Sequence, residues 1–217
     1  GIQGGGKISA RGNVFADFIE HTTVEAGGIV QSNVIWNARV SAHDKVITNG
    51  KRGAIIGGQV HALKSIEAIT AGNDVEVKTV LHCGYQPEAF DMLLEIRRKE
   101  TETKEKLAKL VDTMTEALRE KRKLGANTAK TTEANLSEWN RLKDEYFAEL
   151  DRIGKERKEL EETMEAGRDS YIKVDGNLYR NVVISINAEQ MIMDRNTCYM
   201  KYTAEKGIIE GSVIIHN

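Results

Sequence analysis

The first third of the chain carries a repeating pattern of apolar residues. The pattern places Val or Ile first, Ala two positions later, and Val or Ile four positions after that. Its four matches are Ile8–Val14, Val24–Val30, Val40–Val46 and Val60–Ile66, so the starting positions advance by 16, 16 and then 20. Self-similarity at a nearly fixed period is typical of repeat architectures.

A second apolar marker keeps the same phase between these matches. It appears as the pairs Phe18-Ile19, Val34-Ile35 and Ala54-Ile55. The last step is longer than the earlier ones by four residues, and these additional residues precede Ala54. They fall around Thr48–Gly53, and because Asn49–Gly53 is rich in turn-forming residues, we interpret this segment as a surface loop.

A period of about 16 residues suits one coil of a parallel β-solenoid and is too short for two helices and a turn. Because side chains alternate along a strand, the Val, Ala and Val of each repeat are predicted to point inward and to stack on their counterparts one coil away. The residues predicted to stack on the outer face are Ser9, Glu25, Ser41 and His61. The alternative is a sandwich of antiparallel strands, but sandwiches lack such register.

Glycines fall where the predicted coils turn. A corner often needs a residue with positive φ, which glycine adopts readily. We expect this role for Gly12, Gly27-Gly28 and Gly57-Gly58.

The middle of the chain changes to a heptad pattern. The first apolar seam steps by three and four residues through Leu107, Leu110, Met114, Ala117 or Leu118, Lys121 and Leu124. The second runs through Leu136, Trp139, Leu142, Tyr146, Leu150, Ile153, Arg157, Leu160 and Met164. The polar stretch Gly125–Thr132 separates them, which predicts two helices of roughly 30 to 35 residues packed as an antiparallel αα-hairpin. One continuous helix that dimerises with another chain is the alternative.

β-type alternation returns after Gly167. It is found in Ile172–Val174, Val182–Ile186, Tyr199–Tyr202 and Val213–Ile215. An antiparallel hairpin brings the chain back to its departure point, so this segment is predicted to continue or cap the solenoid. The predicted fold class is α+β: a parallel β-helix over 1–87, an inserted antiparallel coiled-coil hairpin over 88–168, and a returning β segment over 169–217.

Composition supports this division. The 217 residues have a formal charge of −2, but residues 88–168 hold 18 basic and 20 acidic side chains and only three of the 19 glycines. Pro87, the only proline, marks the boundary at a position suited to the first turn of a helix. With balanced charge and no long apolar run, we expect no nucleic-acid partner and no membrane insertion.

The ends and the cysteines suggest the cellular context. The chain opens Gly1-Ile2-Gln3 without an initiating Met, from which we expect a fragment of a longer protein. It shows no signal peptide, and its two cysteines, Cys83 and Cys198, are too few for a disulfide scaffold. We therefore expect a reduced, cytoplasmic setting.

No catalytic, cofactor-binding or metal-binding residue is predicted, and no cofactor. Gly1–Ile8 is similar to a phosphate loop, but Ile8 stands where Ser or Thr would reach Mg²⁺, so a solenoid turn is the better interpretation. The five histidines have no zinc-ligand spacing, and the repeat phase predicts that no two of them stack. They are His21, His43, His61, His82 and His216.

The glycine-containing repeats together with the heptad insert resemble the flagellar assembly protein A family of bacteria. The residues that carry the resemblance are Gly27–Val30, Ala38–Ala42, Gly53–Gly58, Val60–Ala62 and, in the tail, Val182–Ile184. It extends over essentially the whole chain and matches the C-terminal part of family members, with their N-terminal domain missing. The resemblance implies a right-handed β-helix with the coiled coil inserted into it.

The resemblance also implies a non-enzymatic role in the assembly or polar placement of flagella. We therefore expect a scaffold or regulatory module that contacts protein partners through the hairpin or the solenoid face, with homo-oligomers as a further possibility. The alternative is a solenoid enzyme acting on carbohydrate or an acyl donor, with its site in the missing domain or at a subunit junction.

Overall fold

A computed structural model describes residues 1–50, 53–85, 88–124, 129–205 and 207–215. The described chain divides into two compact units: residues 1–87 with 163–217, and residues 88–162. The first unit is a predominantly parallel β-solenoid, and the second consists of two long helices. The predicted boundary residue Pro87 lies outside the described residues.

Among the described residues, ten strands precede the helices and five follow them. The first ten are β1 Ile2–Gln3, β2 Lys7–Ala10, β3 Val14–Glu20, β4 Thr23–Ala26, β5 Val30–Ala42, β6 Lys45–Thr48, β7 Ala54–Ala62, β8 Ser65–Ala68, β9 Thr70–Ala71 and β10 Thr79–Cys83. The helices are α1 Glu88–Leu124 and α2 Ala129–Ala166. The remaining strands are β11 Tyr171–Leu178, β12 Val182–Ile186, β13 Glu189–Ile192, β14 Thr197–Glu205 and β15 Ile208–Val213.

The predicted register of the repeat is confirmed by the strand pairing. Ile8, Val24, Val40 and Val60 lie side by side on successive parallel strands, and the alanines two positions on form a second column. A third column joins Val14, Val30, Val46 and Ile66. Val24, Val40 and Val60 are at most 1% exposed. These columns form the solenoid core, where apolar burial is the main stabilising contribution.

The second apolar marker also pairs as predicted. Ile19, Ile35 and Ile55 are fully buried and adjacent on β3, β5 and β7. Asn49 and Gly50 of the predicted loop follow β6 without belonging to a strand, whereas Lys51 and Arg52 lie outside the described residues.

The corner glycines correct the sequence-based expectation. Gly57 and Gly58 have positive φ as predicted, at 70° and 79°, but Gly12, Gly27 and Gly28 do not. Gly27 is required for another reason, because a Cβ there would overlap the carbonyl oxygen of Arg11 on the neighbouring coil. Close approach of two backbones selects glycine as strongly as a left-handed φ does.

The returning segment continues the solenoid and then reverses direction. Strand β11 pairs in parallel with β8, and β12 pairs in parallel with β10. Strand β13 pairs antiparallel with β12, and β14 and β15 add further antiparallel pairs. The predicted last strand, Val213–Ile215, is wrong in its bounds, because β15 ends at Val213.

The helices bear the predicted seams. In α1, Leu107, Leu110, Met114 and Ala117 are half-buried while Leu118 is 44% exposed, so the seam passes through Ala117. The seam also extends back to the buried residues Ala89, Leu93, Ile96 and Thr103. In α2, every predicted seam residue from Leu136 to Met164 is at least half-buried.

The helices are longer than predicted, at 37 and 38 residues, because α1 begins at Glu88, well before Leu107 of its predicted seam, and α2 begins within the predicted polar break. Residues 125–128 of that break, and the side chain of Leu124, lie outside the description. Ion pairs join the helices, among them Arg97 with Glu161 at 3.1 Å and Arg157 with Glu100 at 3.4 Å.

Candidate functional site

One outer sheet of the solenoid carries two columns of polar side chains, which we call the polar face. One column contains Lys7, Thr23, Arg39 and Gln59. The other contains the predicted stack Ser9, Glu25, Ser41 and His61. Because the valines between these columns point inward, strand alternation directs both columns outward. Lys7 and Glu25 form an ion pair across the two columns at 2.8 Å.

The histidines of the polar face overturn the prediction that no two of them stack. His82 pairs directly with His61, and their rings meet edge to face with centroids 5.0 Å apart. The prediction failed because the step from Val60 to Leu81 is one position longer than the step before it, and because the repeat motif is altered there. Leu81 stands in place of Val or Ile, and Cys83 stands in place of Ala.

Both histidines also contact the chain segment that ends the last coil before α1. The Nε2 atom of His61 lies 2.9 Å from the carbonyl oxygen of Gly84, and that of His82 lies 3.2 Å from the carbonyl oxygen of Tyr85. A carbonyl oxygen only accepts hydrogen bonds, so Nε2 of each ring carries the proton. In neutral His61 the Nδ1 atom is then an acceptor, and the Ser41 hydroxyl donates to it at 3.4 Å.

A hollow of about 460 Å³ lies beside the side chains of Ser41 and His61. Its lining includes Glu25, Ser41, His43, His61 and Tyr85. The hollow is therefore bordered by polar groups together with the apolar bodies of neighbouring alanines and Leu63.

Burial lowers the pKa of His61 below its usual value of 6.5, because the charged imidazolium is poorly solvated there. The hydrogen bond to Gly84 acts in the opposite direction, and the nearby His43 lowers the pKa further. His61 is thus kept neutral in the folded chain at neutral pH.

We expect acid to destabilise the solenoid through His61. Below about pH 6.5 the unfolded chain binds a proton that folded His61 resists, so the free energy of unfolding falls as the pH drops and is insensitive to this group above that pH. Chemical denaturation at pH 7.5 and pH 5.5 measures the effect. His61→Gln should reduce the difference between the two values. An equal pH dependence in wild type and His61→Gln would contradict this assignment.

The geometry around Ser41 limits what chemistry the hollow can perform. Ser41, His61 and the Gly84 carbonyl are arranged as nucleophile, base and orienting group, although the Ser–His distance is long. Acyl transfer also needs N–H donors for an oxyanion. The N–H groups of His43, Leu63 and Gly84 at this end of the hollow already donate to the carbonyls of Ala26, Ala42 and Ala62.

Other reactive groups are dispersed. Within the described parts of the chain, no group of three or more His, Cys, Asp or Glu side chains is placed to hold a metal ion. Cys83 is buried, which raises the pKa of its thiol to about 12, and Cys198 is an exposed free thiol.

The glycine-rich start is a solenoid turn, with Gly4 at a φ of 88° and Thr22 donating to the carbonyl of Gly6. His216 lies outside the described residues.

The model of a family described as "FapA: Flagellar Assembly Protein A beta solenoid domain" matches residues 1–209. No curated protein and no solved structure matches the chain. Neither α1 nor α2 carries an apolar stretch of the length needed to cross a bilayer.

Proposed function

This chain belongs to the family of the Flagellar Assembly Protein A β-solenoid domain, and we propose that it is a non-catalytic scaffold or regulatory module in flagellar assembly. The observation that carries the proposal is the family match over 1–209. The geometry around Ser41 and His61 agrees with such a role, since the neighbouring N–H groups of His43, Leu63 and Gly84 already donate to carbonyl oxygens. Its partners are proteins, and its setting is cytoplasmic.

We further propose that α1 and α2 pair as an antiparallel coiled-coil hairpin. Two observations support it: Arg97 contacts Glu161, and three residues further along α1, Glu100 contacts Arg157, four residues earlier in α2. Partners that advance along one helix and recede along the other are those of an antiparallel pair. The proposed layout keeps the solenoid at 1–87, the hairpin at 88–168 and the returning segment at 169–217, in a right-handed coil.

If the hairpin is an insertion, the solenoid should fold without it. We expect that replacing residues 88–166 with a short Gly/Ser linker retains a cooperative β transition and removes most of the helical circular dichroism. The reason is that Gly167 packs against Tyr85 and Gly84, so the ends to be joined are adjacent. Aggregation or complete loss of the transition would contradict the layout.

The scaffold proposal is tested by complementation in the source organism. In a strain that lacks the gene, we expect the gene with Ser41→Ala to restore flagellar number and motility, because the Ser41 hydroxyl has no catalytic task in a scaffold. The variant in which a linker replaces residues 88–166 should be present and folded but should fail to restore flagellar number and motility. If Ser41→Ala is stable in cells and yet inactive, the alternative of a solenoid enzyme is favoured.

A further inference from the structure

The helical unit exposes an apolar cluster on one side. Val111 and Leu118 of α1 are 43% and 44% exposed, and Phe147 of α2 is 54% exposed. Val111 lies two heptads after Arg97, and Phe147 lies two heptads before Glu161. Because Arg97 and Glu161 contact each other, the antiparallel pairing proposed above places Val111 and Phe147 on the same side of the hairpin and at the same level.

A glycine occupies the same side of α2, one heptad from Phe147. Gly154 lies inside the helix, where glycine is unfavourable relative to alanine, and a Cβ at this position would meet no atom within 4 Å. Nothing in the described chain therefore requires a glycine there. The missing side chain leaves a notch at Gly154, with the large exposed side chain of Phe147 one heptad away. This combination allows a second helix to approach closely.

We propose that this side of the hairpin binds a second copy of the chain, with the two α2 helices antiparallel about a two-fold axis near Leu150 and Asp151. Phe147 then enters the notch at Gly154 of the partner subunit, and the partner's Phe147 enters the notch at Gly154. A two-fold interface must be self-complementary in this reciprocal way. The proposal rests on the antiparallel hairpin proposed above and adds the partner that covers its apolar side.

Charge supports a second copy over an unrelated partner. Asp144 and Lys158 lie on either side of the same axis, so the two-fold operation brings each to the level of its opposite charge in the other subunit. Asp151 lies close to the axis, where like charges meet, but it is already paired with Lys155 at 2.6 Å. The side chain of Phe147, the notch at Gly154 and the opposite charges of Asp144 and Lys158 are all placed symmetrically about one point of α2. Binding of an unrelated partner would not require this symmetry.

Sedimentation equilibrium of the full chain tests the proposal, in a Cys198→Ser background that removes the exposed thiol. We expect a dimer whose dissociation constant rises at least about tenfold with Phe147→Ala and with Gly154→Leu. Gly154→Leu fills the notch while favouring the helix, so its effect cannot be due to lost folding. Met92→Ala, at an exposed position five residues from Arg97 and on the opposite side of the seam, should leave the constant unchanged. A monomeric wild type, or equal effects of all three substitutions, would overturn the proposal.

Disulfide trapping tests the orientation. When a chain carrying F147C is oxidised together with a differently tagged chain carrying G154C, the mixed product should predominate over the F147C homodimer. Predominance of that homodimer would indicate a parallel contact and overturn the proposal. The double variant V111C/F147C tests the hairpin separately. If its intrachain disulfide forms while the wild-type chain is monomeric, only the dimer is rejected. If the disulfide does not form, both the hairpin and the dimer are rejected.

Discussion

Val40→Asp should lower the free energy of unfolding by about 4 kcal/mol or more, whereas Ser41→Asp should change it by within about 1 kcal/mol. Val40 is 1% exposed and lies between Val24 and Val60 on adjacent coils. A carboxylate there would be buried without a charged partner, and protonation would relieve only part of the cost. Chemical denaturation of the two variants side by side measures the difference.

The contrast between neighbours makes this test specific to the register. Ser41 points to the polar face, where Asp gains solvent and contact with His61 but also lies beside Glu25. Alternation along a strand requires the two positions to differ. Comparable losses at both positions, or a larger loss for Ser41→Asp, would contradict the inward column of valines.

The core columns were predictable because identical chemistry recurs at a fixed step. Val24, Val40 and Val60 each occupy the same position of one motif, and a buried stack imposes that selection at every coil. The left-handed corner after Glu20, Trp36 and Ile56 follows the same phase. His21, Asn37 and Gly57 all have positive φ there, although only the last is a glycine.

The histidine pair was missed for a physical reason. The core accepts Leu81 and Cys83 where earlier coils have Val and Ala, because a buried position selects volume and polarity more than residue identity. A relaxed pattern that admits Leu and Cys places His82 beside His61. The contacts of both rings with the carbonyls of Gly84 and Tyr85 depend on how the chain leaves the last coil, which the repeat does not specify.

The seams of the helices were predictable, but the contacts between the helices were not. Leu107 to Ala117 and Leu142 to Ile153 follow heptad spacing, which states which side of each helix is buried. Heptad spacing does not specify which helix packs against which. That information is in pairs such as Arg97 with Glu161, which lie 64 residues apart and have no mark in either local pattern.

Glycine at position 58 is held by two independent requirements. Its φ is 79°, and a Cβ there would overlap the carbonyl oxygen of Ala38 on the neighbouring coil. The left-handed backbone strains any residue with a Cβ, and the obstructing atom belongs to a hydrogen-bonded sheet that cannot move aside freely.

Gly58→Ala should therefore lower the free energy of unfolding by about 2–4 kcal/mol. Gly12→Ala is the matched control, because Gly12 has no positive φ and an added Cβ meets no atom within 4 Å. The control should be neutral or slightly stabilising, since alanine restricts the unfolded chain. Urea unfolding of both variants measures the difference between their free energies of unfolding. If Gly58→Ala is as stable as Gly12→Ala, the backbones of β5 and β7 do not approach each other as closely at Ala38 as described, and the corner is less constrained than its φ implies.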